Sequence, residues 1–246
     1  MRDCAVVRMV LVVLSLAVSL AAAPRPAATS ALPQTAPLPP PRPDRAPLVA
    51  EPSRPAPAPA QDLAAEVDDE VCLAALDRLA VSYERLPPLV EGACGAPAPL
   101  KVSRLPDGVA VTPPSTMTCS TAQALAQWVL DVVVPEADRA FSKPASAVLI
   151  GTSYECRGRN RREGAKLSEH AFAGAVDVMG FAFGPEKTVS IGPLPPDTPE
   201  ARFHDAVRAG ACRYFTTVLG PGSDPEHATH FHFDVRARKG GFRMCQ

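Results

Sequence analysis

Proline decides where this chain can build a core. Thirteen of the 36 residues from position 24 to position 59 are proline, set among alanines with no large aromatic residue. Proline lacks an N–H donor and fixes φ, so such a run favours extended polyproline II over helix or sheet. Pro39-Pro40-Pro41 and Ala56-Pro57-Ala58-Pro59 are its clearest tracts. Residues 24–61 read as a disordered Pro/Ala-rich tether that gives reach from a membrane or wall, or as passive disorder. The folding part is then residues 62–246, the size of one domain.

Ahead of the tether, Arg2 and Arg8 accompany a 15-residue apolar run at 9–23. A membrane span needs about 20 apolar residues, whereas a signal peptide needs fewer. Residues 1–23 are therefore expected to be a signal peptide, with Ser19-Leu20-Ala21 as an acceptable cut and Cys4 too early to be a lipoprotein cysteine. The rest of the chain is therefore expected to be exported. Removing Cys4 leaves six cysteines, Cys72, Cys94, Cys119, Cys156, Cys212 and Cys245. In an oxidising compartment an even number suggests three disulfides, with 15 pairings open. No CxxC spacing supports a thiolate zinc site. The 25 Lys+Arg against 26 Asp+Glu, net −1, argue against a nucleic-acid partner.

Periodicity predicts an α+β domain: helices flanking a small antiparallel sheet that carries the site. Cys72, Leu76, Leu79, Ala80 and Tyr83 recur at helical spacing up to Pro87-Pro88. Residues 100–105 and 109–111 flank Asp107-Gly108 as a hairpin. A second helix after Ser120 turns Leu125, Trp128, Val129, Val132 and Val133 to the core, with Pro135 ending or kinking it. Strands follow at 147–151, 175–183, 187–191 and 229–235. Between them Thr198-Pro199 starts a helix to about Gly210. His204 is expected on that helix's exposed side, without a role.

Four of the five histidines fall in two short motifs. The first runs from Ser168 to Asp177 and reads SxHxxGxAxD, placing His170 and Asp177 seven apart at the start of a strand. The second is His227-Ala228-Thr229-His230-Phe231-His232-Phe233-Asp234. On a strand, His230, His232 and Asp234 share one face while Phe231, Phe233 and Val235 fill the core behind. Two imidazoles and a carboxylate suit Zn2+ and leave a fourth position for water. Asp234 either orients an imidazole or caps the site face by a hydrogen bond.

At these residues the chain resembles zinc peptidases that include D-Ala-D-Ala carboxypeptidases and the penicillin-insensitive murein endopeptidase. From about Cys72 to Cys245 it resembles the bacterial extensin-like C-terminal family, through residues 153–160 (SYECRGRN), 167–170 (LSEH) and 230–234 (HFHFD). The resemblance implies His170, Asp177 and His232 as zinc ligands. It implies His230 as a proton-transfer group, His227 as a further active-site histidine, and Arg157 as a binder of substrate carboxylate or oxyanion. Arg159, Arg161 and Arg162 are expected to be a solvated loop. Carboxypeptidase relatives place a glutamate where this chain has Thr229, and Glu226 is expected on the wrong side of a turn. The implied function is zinc-dependent hydrolysis of an amide bond in peptidoglycan peptides, of DD-endopeptidase or DD-carboxypeptidase type. The alternative is a non-catalytic zinc-containing module that binds the cell envelope.

Overall fold

A computed structural model describes residues 60–246, with side chains from Asp69 onward. The signal peptide expected at 1–23, and the tether expected at 24–61 up to residue 59, lie outside the described residues. Helix α1 (Ala60–Arg78) opens the domain. It ends earlier than its apolar spacing suggests. Ala80 takes a left-handed φ of 54°, and the Val81 N–H turns back to the Leu76 carbonyl at 3.1 Å, which closes the last turn. Tyr83 therefore belongs not to a helix but to strand β1 (Ser82–Arg85).

A two-stranded ribbon follows, β2 (Leu89–Glu91) with β3 (Cys94–Ala96). The expected hairpin is β4 (Leu100–Arg104) with β5 (Ala110–Met117), joined through a tight turn at Pro106–Gly108. Helix α2 (Cys119–Trp128) is capped by Thr118, whose hydroxyl accepts the Thr121 N–H. Pro135 does not end this helix. The chain passes through one π-type turn at Val129–Val133, and α3 (Val134–Phe141) carries the proline in its first turn. The wider turn ahead of it accommodates the ring.

The remaining elements are β6 (Ala147–Thr152), β7 (Ala175–Ala182), β8 (Thr188–Ser190), α4 (Pro199–Ala211), β9 (Thr217–Leu219), β10 (Phe231–Asp234) and β11 (Met244–Cys245). The sheet is not a small antiparallel one. Nine strands join in the order β1-β4-β5-β6-β7-β10-β9-β11, with β8 also on β7. The β5–β6 and β9–β11 pairs are parallel and the others antiparallel. Helices α2 and α3 lie between β5 and β6 in sequence, and a parallel pair requires such a crossover.

One sheet face is covered. Trp128 is fully buried and packs on Phe181, Phe215 and Phe233, with ring centroids 5.1–6.3 Å apart. Its indole N–H donates to the Val207 carbonyl on α4 at 2.9 Å. Phe231 and Phe233 point into this core, as alternation along β10 predicts. His204 points inward as well. It is 6% exposed and lies against Phe231, contrary to the expected surface position. Three disulfides pin the fold: Cys72–Cys119 between α1 and α2, Cys94–Cys156 between β3 and the β6–β7 loop, and Cys212–Cys245 between the end of α4 and β11. Three bridges fit an exported or oxidising environment. Among the described residues no helix is long and apolar enough to cross a membrane.

Candidate functional site

The uncovered face of β7 and β10 carries the site. His232 lies directly opposite Asp177 in the antiparallel ladder. His170 arrives from the loop between β6 and β7, on a short 3-10 turn at Glu169–Phe172. That turn is stitched to the end of β6. The Glu155 N–H donates to the His170 carbonyl at 3.2 Å, and His170 Nδ1 lies 2.7 Å from the Ser153 carbonyl. Ala173, at φ 53°, turns the chain back so that Gly174 leads into β7.

Three ligating atoms converge: His170 Nε2, Asp177 Oδ1 and His232 Nδ1, separated by 3.1, 3.1 and 3.0 Å. Tetrahedral ligands at about 2.0–2.2 Å from zinc sit roughly 3.3–3.6 Å apart, so the triad is within a few tenths of an ångström of that spacing. The outer partners fix the tautomers. A carbonyl only accepts, so His170 Nδ1 carries the hydrogen and Nε2 presents its lone pair. His232 Nε2 faces Asp234 Oδ2 at 3.5 Å, which leaves Nδ1 toward Asp177. Two lone pairs and a carboxylate this close attract positive charge, whether a proton on His232 or a metal ion held by all three.

The electrostatics agree. Burial alone would raise the Asp177 carboxyl, but hydrogen bonds and charge from His170 and His232 hold it far below the usual range. Burial would lower His232, yet Asp177 and Asp234 push it up to about 9. Asp234, beside His232, is held below the ordinary carboxylate value despite burial, with help from Thr217. Of the two roles open to Asp234, the geometry fits orientation of the His232 ring.

His230, just before β10, is half-buried, with Nε2 3.7 Å from Asp177 Oδ1. Burial keeps its pKa below the ordinary histidine value, against the pull of Asp177. His227 lines the same cavity, its ring 5.2 Å from His230 and 5.6 Å from His232. Its Nδ1 lies 2.6 Å from Asp224 Oδ1, and Asp224 also accepts the His227 backbone N–H. Arg157 reaches in from the loop, with Nη2 3.9 Å from Asp177 Oδ2 and Nε on Glu155 at 2.8 Å. All six residues expected at the site thus meet around one cavity of about 390 Å³.

Sequence reasoning missed part of the wall. Arg159 and Arg161 are not merely a solvated loop but line this cavity, as does Glu226. Arg162 pairs with Glu226 at 3.0 Å, linking the loop to the turn that carries His227. The run Arg157-Gly158-Arg159-Asn160-Arg161-Arg162 was the available signal. Its direction depends on the Cys94–Cys156 bridge and on left-handed φ at Asn160 and Arg161, 53° and 54°.

A family model described as extensin-like protein C-terminus matches residues 70–246. No curated protein and no solved structure matches the chain.

Proposed function

Since this chain belongs to the extensin-like C-terminal family, with a His-Asp-His triad on its open sheet face, we propose that it is a zinc-dependent hydrolase of an amide bond in peptidoglycan peptides, exported to the periplasm or cell envelope. The observation that carries the reading is the convergence of His170, Asp177 and His232 within 4.8 Å of one another. Their outer partners leave lone pairs facing the common centre, as a metal site requires.

His170, Asp177 and His232 would hold the ion. When bound, zinc supplies Lewis acidity for a carbonyl and lowers the pKa of water to about 7. His230 stands on the same side of β10 as the triad. Depression of its pKa keeps its ring neutral at pH 7, able to take a proton and return it to the leaving amine. Asp224 holds His227 in one orientation beside it. Arg157, steadied by Glu155, directs its guanidinium to the triad, where it can take a substrate carboxylate or a developing oxyanion. The endopeptidase type suits the residues better than the carboxypeptidase type, because Thr229 stands where carboxypeptidase relatives place a glutamate.

The same substitution favours a second reading, a zinc-containing envelope-binding module without turnover. The cavity's carboxylates are engaged: Glu226 with Arg162, Glu169 with Arg159 and Arg236, Asp234 with His232. Incubation of zinc-loaded protein with purified muropeptides separates the two. The hydrolase reading expects new amino ends, absent with His230→Ala; intact muropeptides retained by the protein would favour the binding module.

A further inference from the structure

The loop that carries Arg157 is built as a rigid display. The Cys94–Cys156 bridge fixes its near end. Gly158 and Leu167 form an antiparallel bridge across it. Backbone hydrogen bonds from Arg159 to Lys166 at 2.9 Å and from Ser168 to Arg157 at 3.0 Å close its two arms. At its tip, two consecutive non-glycine residues, Asn160 and Arg161, adopt left-handed backbone. Asparagine enters this region readily, whereas for Arg161 it is unfavourable and persists where the surroundings impose it.

The loop holds more guanidinium than carboxylate. Glu155 accepts from Arg157 at 2.8 Å and, through both of its oxygens, from both terminal nitrogens of Arg161, one of them at 2.9 Å. Glu169 accepts from both Arg159, at 3.4 Å, and Arg236, at 2.9 Å. Each carboxylate is thus shared by two arginines; residues 155–169 carry five Lys+Arg against three Glu, while the cavity lining as a whole balances four arginines with Glu169, Asp177, Glu226 and Asp234. Five N–H donors per arginine exceed what these pairs use. Arg161 also reaches beyond the main cavity. Together with Thr152 it borders a second hollow of about 480 Å³, lined also by Gly151, Glu155 and, on β5, Ser115 and Thr116. A chain lying over Thr152 would therefore pass from the triad into this hollow beside Arg161 and Glu155.

We propose that Arg161, backed by Arg159, reads a side-chain carboxylate of the substrate, making the cleft selective for an acidic peptide that runs from the triad over Thr152 into the second hollow. The proposal rests on the hydrolase reading for its peptide and names the chemistry that peptide must carry. A carboxylate is the group these guanidiniums already hold, in Glu155 and Glu169. It can join Glu155 on Arg161 or replace it, at little ordering cost because the loop is fixed.

Calorimetric titration of the zinc-loaded full chain, in the His230→Ala background to prevent cleavage, tests this with three probes. They are a synthetic peptidoglycan stem peptide with free side-chain carboxylates, the same peptide with those carboxylates amidated, and peptide-free glycan strands. The free acid should bind about tenfold more tightly than the amide. Arg161→Gln should shrink that preference to about twofold or less, and Arg161→Lys should restore it only in part, since lysine keeps the charge without the fork. Zinc content should not change. Equal affinity for acid and amide, no peptide binding, a preference that survives Arg161→Gln, or tighter binding of the glycan would each overturn the proposal. Zinc content, and turnover of the same peptide by the chain with His230 intact, are read separately. Their loss would sink the hydrolase reading without touching the carboxylate preference.

Discussion

Asp177 and His232 face each other across the β7–β10 ladder, Oδ1 to Nδ1 at 3.0 Å. Two rigid strands thereby set two-thirds of the triad, and only His170 depends on a loop. Purified protein should hold close to one zinc per chain. His170→Ala, Asp177→Ala and His232→Ala should each lose most of it, while His230→Ala keeps it and loses activity. Metal analysis of the four variants checks the division of roles. Loss of zinc from His230→Ala as complete as from His232→Ala would overturn it.

How much of this was legible depended on how local the information is. Alternation along Phe231-His232-Phe233-Asp234 was enough to assign the faces of β10, and His170 with Asp177 marked the other half of the site. The size of the sheet was not legible, because β1 and β9 are short and owe their strand form to neighbours distant in sequence. Of the two outcomes expected at Pro135, the helix does not end there; the chain passes through a π turn just before it. His204 misled because the polar residue Asp205 beside it suggested exposure, whereas α4 turns it against Phe231. The arginine loop takes its aim from a disulfide between residues 62 positions apart, which spacing alone does not reveal.

Asp234→Asn keeps the size of the side chain but removes the charge facing His232 Nε2. Zinc affinity should fall about 10–100-fold, the usual cost of losing a ligand's outer partner. Competition against a chelator of known affinity measures it. Unchanged affinity would reduce Asp234 to a cap on the strand.

Metal and proton compete for His232 Nδ1. Its folded pKa is raised to about 9 by Asp177 and Asp234 against the opposing effect of burial, from about 6.5 in the unfolded chain. The stabilisation of metal-stripped protein from this group is therefore complete below about pH 6.5 and lost as pH rises through about 9. Over the same window zinc affinity should rise, because the competing proton leaves. Thermal melts of stripped protein and zinc titrations across this range check both slopes. Zinc affinity independent of pH would contradict the assignment.

All six cysteines from Cys72 to Cys245 should resist thiol reagents, before and after denaturation without reductant. Loss of any one bridge should cost about 2–5 kcal/mol. The pair Cys94→Ala/Cys156→Ala should in addition weaken substrate binding, because it frees the loop that bears Arg157 and Arg161. Denaturant melts and substrate KM on the double variant separate the two effects; an unchanged KM would remove the loop's positioning role.

Phe233 lies directly behind His232, between Trp128 and Phe215. Phe233→Ala should destabilise the domain by about 3–5 kcal/mol, the usual cost of emptying an aromatic core position. Urea unfolding measures it, and a loss below about 1 kcal/mol would mean that this layer does not support the site.

The most direct measurement is mass spectrometry of purified sacculi digested with zinc-loaded protein, beside an identical digest with His230→Ala. Cleavage of one kind of amide bond in the peptide part, with gain of one water, is predicted for the native chain and not for the variant. Sacculi left unchanged by zinc-loaded native protein would contradict the hydrolase reading.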